Sequence, residues 1–300
     1  MTGYAAGMTH PEIVADAAVL VFGGCYSNRQ ATEALLAHAA QRGIPPERMI
    51  CTGDVVAYGA DPAATVTLVR DAGVHVVMGN CEEQLAAGAA DCGCGFAPGS
   101  ACDLLSGAWF AHAASALDAS ALDWMRTLPR RIDLQLGRYR LAVVHGSAGV
   151  INEFVFASTA GVVPQGYDGV VAGHCGLPFT RTVEGRLWHN SGAVGMPAND
   201  GTQRVWFSVL SPGPDRLTIE HVAFDYDYRS AASAMRGARL PEGYAGALET
   251  GLWPNCDVLP APELAARGLP LSPTTLMWTG VDLTHPVTAA SPAYSGAWDN

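Results

Sequence analysis

The stretch Arg48-Met49-Ile50-Cys51-Thr52-Gly53-Asp54-Val55-Val56-Ala57-Tyr58-Gly59 decides how this chain is read. A short apolar run stops abruptly at Gly53-Asp54, the pattern of a buried strand that delivers a carboxylate to its carboxyl end. In open α/β sheets, ligands bind just outside that end. Similar stops recur downstream: Val74–Met78 ends in Gly79-Asn80, Leu141–Val144 in His145-Gly146, and Gly169–Ala172 in Gly173-His174. The polar residues at these stops are Asp, Asn, His and His, all of metal-ligand type.

Before that stretch, Ala17–Phe22 reads as a first strand entering Gly23-Gly24-Cys25-Tyr26-Ser27-Asn28, after a loose lead-in over Met1–Asp16. A helix over Gln30–Gln41 follows, closed by Gly43 and Pro45-Pro46. Beyond Asp54, Asp61-Pro62 pairs an N-cap with proline at the first helical position and opens a helix to Ala72. Cys81-Glu82-Glu83-Gln84 opens a short helix after the third strand. The order β-α-β-α-β defines a layered α/β domain. Residues 90–102 form a Gly-rich excursion, and two helices are expected over Asp103–Leu117 and Ser120–Leu128. From Arg131 the pattern turns to strands: Ile132–Leu136, Tyr139–Val144, Gly169–Ala172, Phe179–Val183, Arg186–Trp188, Arg204–Leu210 and Leu217–Phe224. A helical segment to Glu249 follows, and residues 251–300 are rich in Pro, Ser and Thr without a clear period. The expected architecture is two packed mixed β-sheets flanked by helices, a four-layer α/β/β/α sandwich. Its domain spans 1–250 with a cap-like insertion at 90–128, and an extended tail over 251–300 packs on it.

Bulk properties narrow the function. The 300 residues are 49% hydrophobic and 15% charged, enough for a large core. Mean hydropathy is only +0.15, and no stretch approaches the roughly 18 apolar residues of a membrane span. The run Ala17–Phe22 follows no basic region, so no secretory leader is expected there, and a cytoplasmic protein is. A net charge of −11 with no basic run argues against nucleic-acid backbone binding. The expected partner is a small molecule, with no nucleic acid and no membrane, and homo-oligomerisation is open. The eight cysteines suit thiols or metal ligands better than a disulfide framework. For Cys92, Cys94 and Cys102 three readings stay open: disulfide pairing, a second metal completed by Cys256, or inert loop thiols.

Taken in order, these strand-end motifs resemble the calcineurin-like metallophosphoesterase superfamily over residues 17–250. That family carries Gly-Asp-x-His-Gly-Asn, Gly-Asp, Gly-Asn-His-Asp/Glu, a strand-ending His-Gly, and Gly-His-x-His. This chain carries Gly23-Gly24-Cys25-Tyr26-Ser27-Asn28, Gly53-Asp54, Gly79-Asn80-Cys81-Glu82, His145-Gly146 and Gly173-His174-Cys175-Gly176. Asn190-Ser191-Gly192-Ala193-Val194-Gly195 and Asp225-Tyr226-Asp227 with Leu240-Pro241 are similar to a bacterial branch of that family.

The resemblance implies two adjacent metals, and here the two sites differ. The positions of the first site fall on Gly24, Tyr26, Asp54 and Gly176, so three of its four ligands are gone. Those of the second fall on Asp54, Asn80, His145 and His174, all present. The implied protein is a mononuclear metal-binding hydrolase of a phosphomonoester or phosphodiester, using water activated at one iron, manganese or zinc ion. Cys81 stands where the family has a histidine that helps protonate the leaving group, and Tyr26 is a candidate phenolate ligand filling part of the vacated site, or a cap of the pocket. Two alternatives are a metalloenzyme of other chemistry, reusing the scaffold with Tyr26 and Cys81 at its site, and a non-catalytic metal-binding protein.

Overall fold

In the computed structural model, residues 10–94, 99 and 101–285 are described, and for 101–104 the backbone alone. One mixed sheet is built around β2 (Val19–Phe22), β3 (Met49–Cys51) and β4 (His75–Val76), which run parallel. On the other side of β2 lie β10 (Val205–Pro212) and β11 (Leu217–Phe224), both antiparallel to their neighbours. The second mixed sheet runs β1 (Glu12–Ala15), β5 (Arg131–Leu136), β6 (Tyr139–Val144), β7 (Gly169–Ala172), β9 (Arg186–Ser191) and β8 (Pro178–Val183). Here β6, β7 and β9 are parallel.

The apolar runs are continuous rather than alternating because these strands are buried on both faces. In β2, Val19 and Val21 enter the layer between the sheets with Leu134, Val143, Val171 and Ile219. Leu20 and Phe22 point the other way, into the core beneath the helices. Those helices are α1 (Arg29–Gln41), α2 (Pro62–Ala72), α4 (Ala101–Ala116), α5 (Ala119–Thr127), α6 (Tyr228–Gly237) and α7 (Glu242–Thr250), which contribute Leu35, Val69, Phe110, Met125, Met235 and Leu248. Asn28 caps α1 by accepting from the Ala31 N–H at 3.1 Å. Asp61 stands at the N-cap of α2, but its carboxylate makes no capping bond and faces Arg29 at 4.0 Å.

Two segments depart from the expectation. The lead-in was expected to be loose, yet Glu12–Ala15 pairs in parallel with β5. Ile13 and Ala15 face the core, but Val14 is 68% exposed, which breaks the apolar/polar alternation that marks a half-buried strand. Residues 1–9 lie outside the described set. The segment after Gly251 was expected to be extended. It carries α8 (Ala261–Ala265), β12 (Thr274–Trp278) and β13 (Leu283–Thr284), and β12 extends the first sheet by pairing with β11. Leu276 and Trp278 anchor it in the inter-sheet core. Residues 286–300 are not among those described. No helix of the described residues is long and apolar enough to cross a membrane.

Candidate metal centre

The carboxyl ends of β3, β4, β6 and β7 converge where the two sheets meet, and each carries one of the predicted polar residues. The approach is close enough to require glycine at Gly53. Its φ is +99°, and a Cβ there would meet His145 Nδ1 at 2.7 Å and the Gly79 backbone nitrogen at 2.8 Å. Asp54, His174 and Tyr26 all hold left-handed backbone, with φ of 57°, 59° and 50°. Such strain in non-glycine residues collects at functional sites and persists only where the surroundings enforce it.

His145 Nε2 is the hub. It lies 3.0 Å from Asn80 Oδ1, 3.2 Å from Asp54 Oδ2 and 3.0 Å from His174 Nδ1. The ligand atoms of Asp54, His145 and His174 all fall within 4.8 Å of one another. Each group is held from behind. His145 Nδ1–H donates to the Thr52 carbonyl at 2.7 Å, which leaves a lone pair on Nε2. Asn80 Nδ2 donates to the Cys92 carbonyl at 2.7 Å, turning Oδ1 inward. Asp54 Oδ1 accepts from the Cys81 N–H at 3.2 Å. The Phe154 ring packs 4.2 Å from the His174 ring, centroid to centroid. Carboxylate, amide oxygen and two imidazole lone pairs thus face one another at contact distance. Acceptors so placed repel unless a cation sits among them. The residues therefore fit a divalent cation by their own geometry.

The electrostatics agree. Burial and then the neighbouring His145 push His174 down to about 3, so it stays neutral. Burial raises and His145 lowers the pKa of Asp54, and His145 prevails. Burial opposes protonation of His145, and the Asp54 carboxylate outweighs it. The Asp54 carboxylate thus favours positive charge at this centre.

Around Gly24 and Gly176 the Tyr26 ring fills the space. A Cβ on Gly24 would lie 2.1 Å from Tyr26 Cε1, so an aspartate at position 24 and this ring position exclude each other. The hydroxyl end reaches Gly176, 3.7 Å from where its Cβ would be. Burial, and then the charge of Asp54, raise the Tyr26 pKa, so the group is a phenol rather than a phenolate. Cys81 is buried, its Sγ 3.7 Å from Asn80 Nδ2, and burial keeps it a thiol. Cys94 Sγ lies 3.3 Å from the same amide nitrogen. The described cysteines are all free, and the side chain of Cys102 lies outside the described set. Cys256 packs with Phe156, Cys175 and Leu259, in a different cluster from Cys92 and Cys94.

Sequence reading missed Glu82. Its buried carboxylate accepts from the N–H groups of Asp54 (2.8 Å), Gly79 (3.0 Å) and Val56 (3.1 Å), tying the Asp54 loop to the start of α3 (Asn80–Ala87). Its signal was present: Glu82 falls three residues after the N-cap Gly79, the spacing of a capping box. Burial and then Asp54 push Glu82 up to about 7. Phe154, in the loop after His145, left no such signal.

Residues 10–211 match the calcineurin-like phosphoesterase superfamily domain, and the chain belongs to that superfamily. It is 27% identical over 242 residues to an uncharacterized protein of Methanocaldococcus jannaschii, across 75% of this chain and 94% of that one. Its fold is similar to a crystal structure of a metallophosphoesterase from Sphaerobacter thermophilus (TM-score 0.59, 22% identity, 79% of this chain and 100% of that one). It is also similar to a hypothetical protein from Pyrococcus horikoshii OT3 (TM-score 0.64, 16% identity, 80% of this chain and 99% of that one).

Proposed function

We propose that this protein is a metal-dependent phosphoester hydrolase that works with a single divalent transition metal. Asp54, Asn80 Oδ1, His145 Nε2 and His174 Nδ1 would hold the ion. Two imidazoles, a carboxylate and an amide oxygen suit iron, manganese or zinc better than calcium or magnesium. The carrying observation is the pairing of that acceptor cluster with the Tyr26 ring over Gly24, which supports one retained site beside a filled one. A metal there would supply Lewis acidity and acidify a bound water.

The chain's own groups do the rest. Thr52 and Cys92 carbonyls hold the imidazole and amide in register for the ion. Cys81, protonated and beside Asn80, is the candidate proton donor to the leaving group, a weaker one than the histidine of the family. Tyr26 offers a phenol at the cavity wall that can donate to a phosphoryl oxygen. The protein would act in the cytoplasm on a small phosphorylated molecule. The test is turnover of 4-nitrophenyl phosphoesters by protein loaded with manganese, iron or zinc. Activity that a chelator removes, and that His145→Ala lowers about a hundredfold or more, is expected. Full metal content with no turnover of any phosphoester would overturn the proposal.

A further inference from the structure

The cavity beside His174, about 90 Å³ in volume and open to solvent on one side, is walled by Tyr26, Tyr58, Phe154, Met196, Tyr244 and Trp253. The rings are held in place. Tyr58 packs 4.9 Å from both Tyr26 and Tyr244 and 5.2 Å from Trp109, centroid to centroid. Trp253 Nε1–H donates to the Pro197 carbonyl at 2.7 Å, and its backbone N–H to Asn199 Oδ1 at 2.8 Å. A flat apolar group entering this wall meets surfaces already ordered, so binding costs little side-chain entropy.

Charge is scarce in the same place. The chain has no lysine, and none of its arginines lines this cavity. The residues outside the described set contain no arginine either. A divalent ion held by one carboxylate and neutral ligands leaves a single net positive charge. A phosphomonoester dianion would therefore keep one uncompensated charge against an apolar wall, which is costly. A phosphodiester carries one negative charge and matches the centre.

Resting on the metallophosphoesterase reading above, we propose that the substrate is a singly charged phosphodiester bearing an aromatic or other flat apolar group. That group sits among Tyr58, Tyr244 and Trp253, with the phosphate at the His174 edge of the cavity. The experiment compares kcat/KM of the metal-loaded protein for bis(4-nitrophenyl) phosphate, methyl 4-nitrophenyl phosphate and 4-nitrophenyl phosphate. Calorimetric binding of diphenyl phosphate and phenyl phosphate runs beside it. The bis-aryl diester is expected to exceed the monoester by about a hundredfold and the methyl diester by about tenfold. Trp253→Leu should shrink the bis-aryl to methyl ratio towards one, and Tyr244→Leu should lower it. Ratios within one variant do not depend on the fraction folded. Diphenyl phosphate bound more tightly than phenyl phosphate, with no turnover of any ester, would support the pocket assignment and overturn only the chemistry. A monoester preference, a ratio unmoved in both variants, or equal binding of the two phenyl phosphates would overturn the assignment.

Discussion

Replacing Gly24 and Tyr26 singly and together tests whether the tyrosine ring has physically displaced the first metal site. Gly24→Ala puts a Cβ 2.1 Å from Tyr26 Cε1 and 2.4 Å from Cζ, well inside contact distance. The backbone at Gly24 has no left-handed φ, so the cost is steric. Overpacking of that kind costs about 1–3 kcal/mol. Tyr26→Ala removes a ring that is 6% exposed and packed edge-on against Tyr58. Truncating a buried aromatic costs about 3–5 kcal/mol, here nearer the lower figure because one side of the ring faces the cavity. In the double variant the clash has no partner, so the Gly24→Ala penalty should vanish. The double variant should then be more stable than the sum of the singles by about 1–2 kcal/mol, read from denaturant midpoints and slopes of the three variants and wild type. Additivity within about 0.5 kcal/mol would refute the steric account. The functional extension is Gly24→Asp with Tyr26→His, which should bind a second, weaker equivalent of metal, whereas Gly24→Asp alone should not.

Glu82→Ala leaves three buried backbone N–H groups without an acceptor and should destabilise the protein by about 3–5 kcal/mol, with Glu82→Gln costing less; a loss under about 1 kcal/mol would count against its tying role. Because Glu82 titrates near 7 in the folded protein and near 4.5 when unperturbed, its protonated form favours folding. In metal-free protein the stability of wild type relative to Glu82→Gln should therefore fall as pH rises from about 5 to about 8, and a rising difference would show that the carboxylate is favoured instead. Asp54→Ala and His174→Ala should each lose the metal, measured by elemental analysis; full retention in either would break the proposed ligand set. Cys81→His should raise phosphoesterase turnover if the thiol stands at the leaving group, and unchanged turnover would remove it from that position.

Much of the fold could be seen beforehand because a buried parallel strand advertises itself as an unbroken apolar run. Asp54, Asn80, His145 and His174 stood out as polar residues at the ends of such runs, and the structure brings all four together. The contacts that orient them could not be seen, since the carbonyls of Thr52 and Cys92 are chemically the same in every residue. Tyr26 was visible as a residue that could fill part of the vacated site as a phenolate, but its burial as a neutral phenol and its ring lying where a Cβ on Gly24 would be were not, because both depend on its left-handed backbone and packing. Glu12–Ala15 was missed as an edge strand because Val14 faces solvent, and Thr274–Trp278 because it follows a stretch rich in proline and serine.

The most direct test is metal content per chain, by elemental analysis of untagged protein purified without chelators, beside His145→Ala. The account predicts about one iron, manganese or zinc per wild-type chain and near zero in the variant. Two per wild-type chain would mean that the first site still binds despite the Tyr26 ring. Near zero in wild type, with no uptake from added metal, would contradict the metal centre itself.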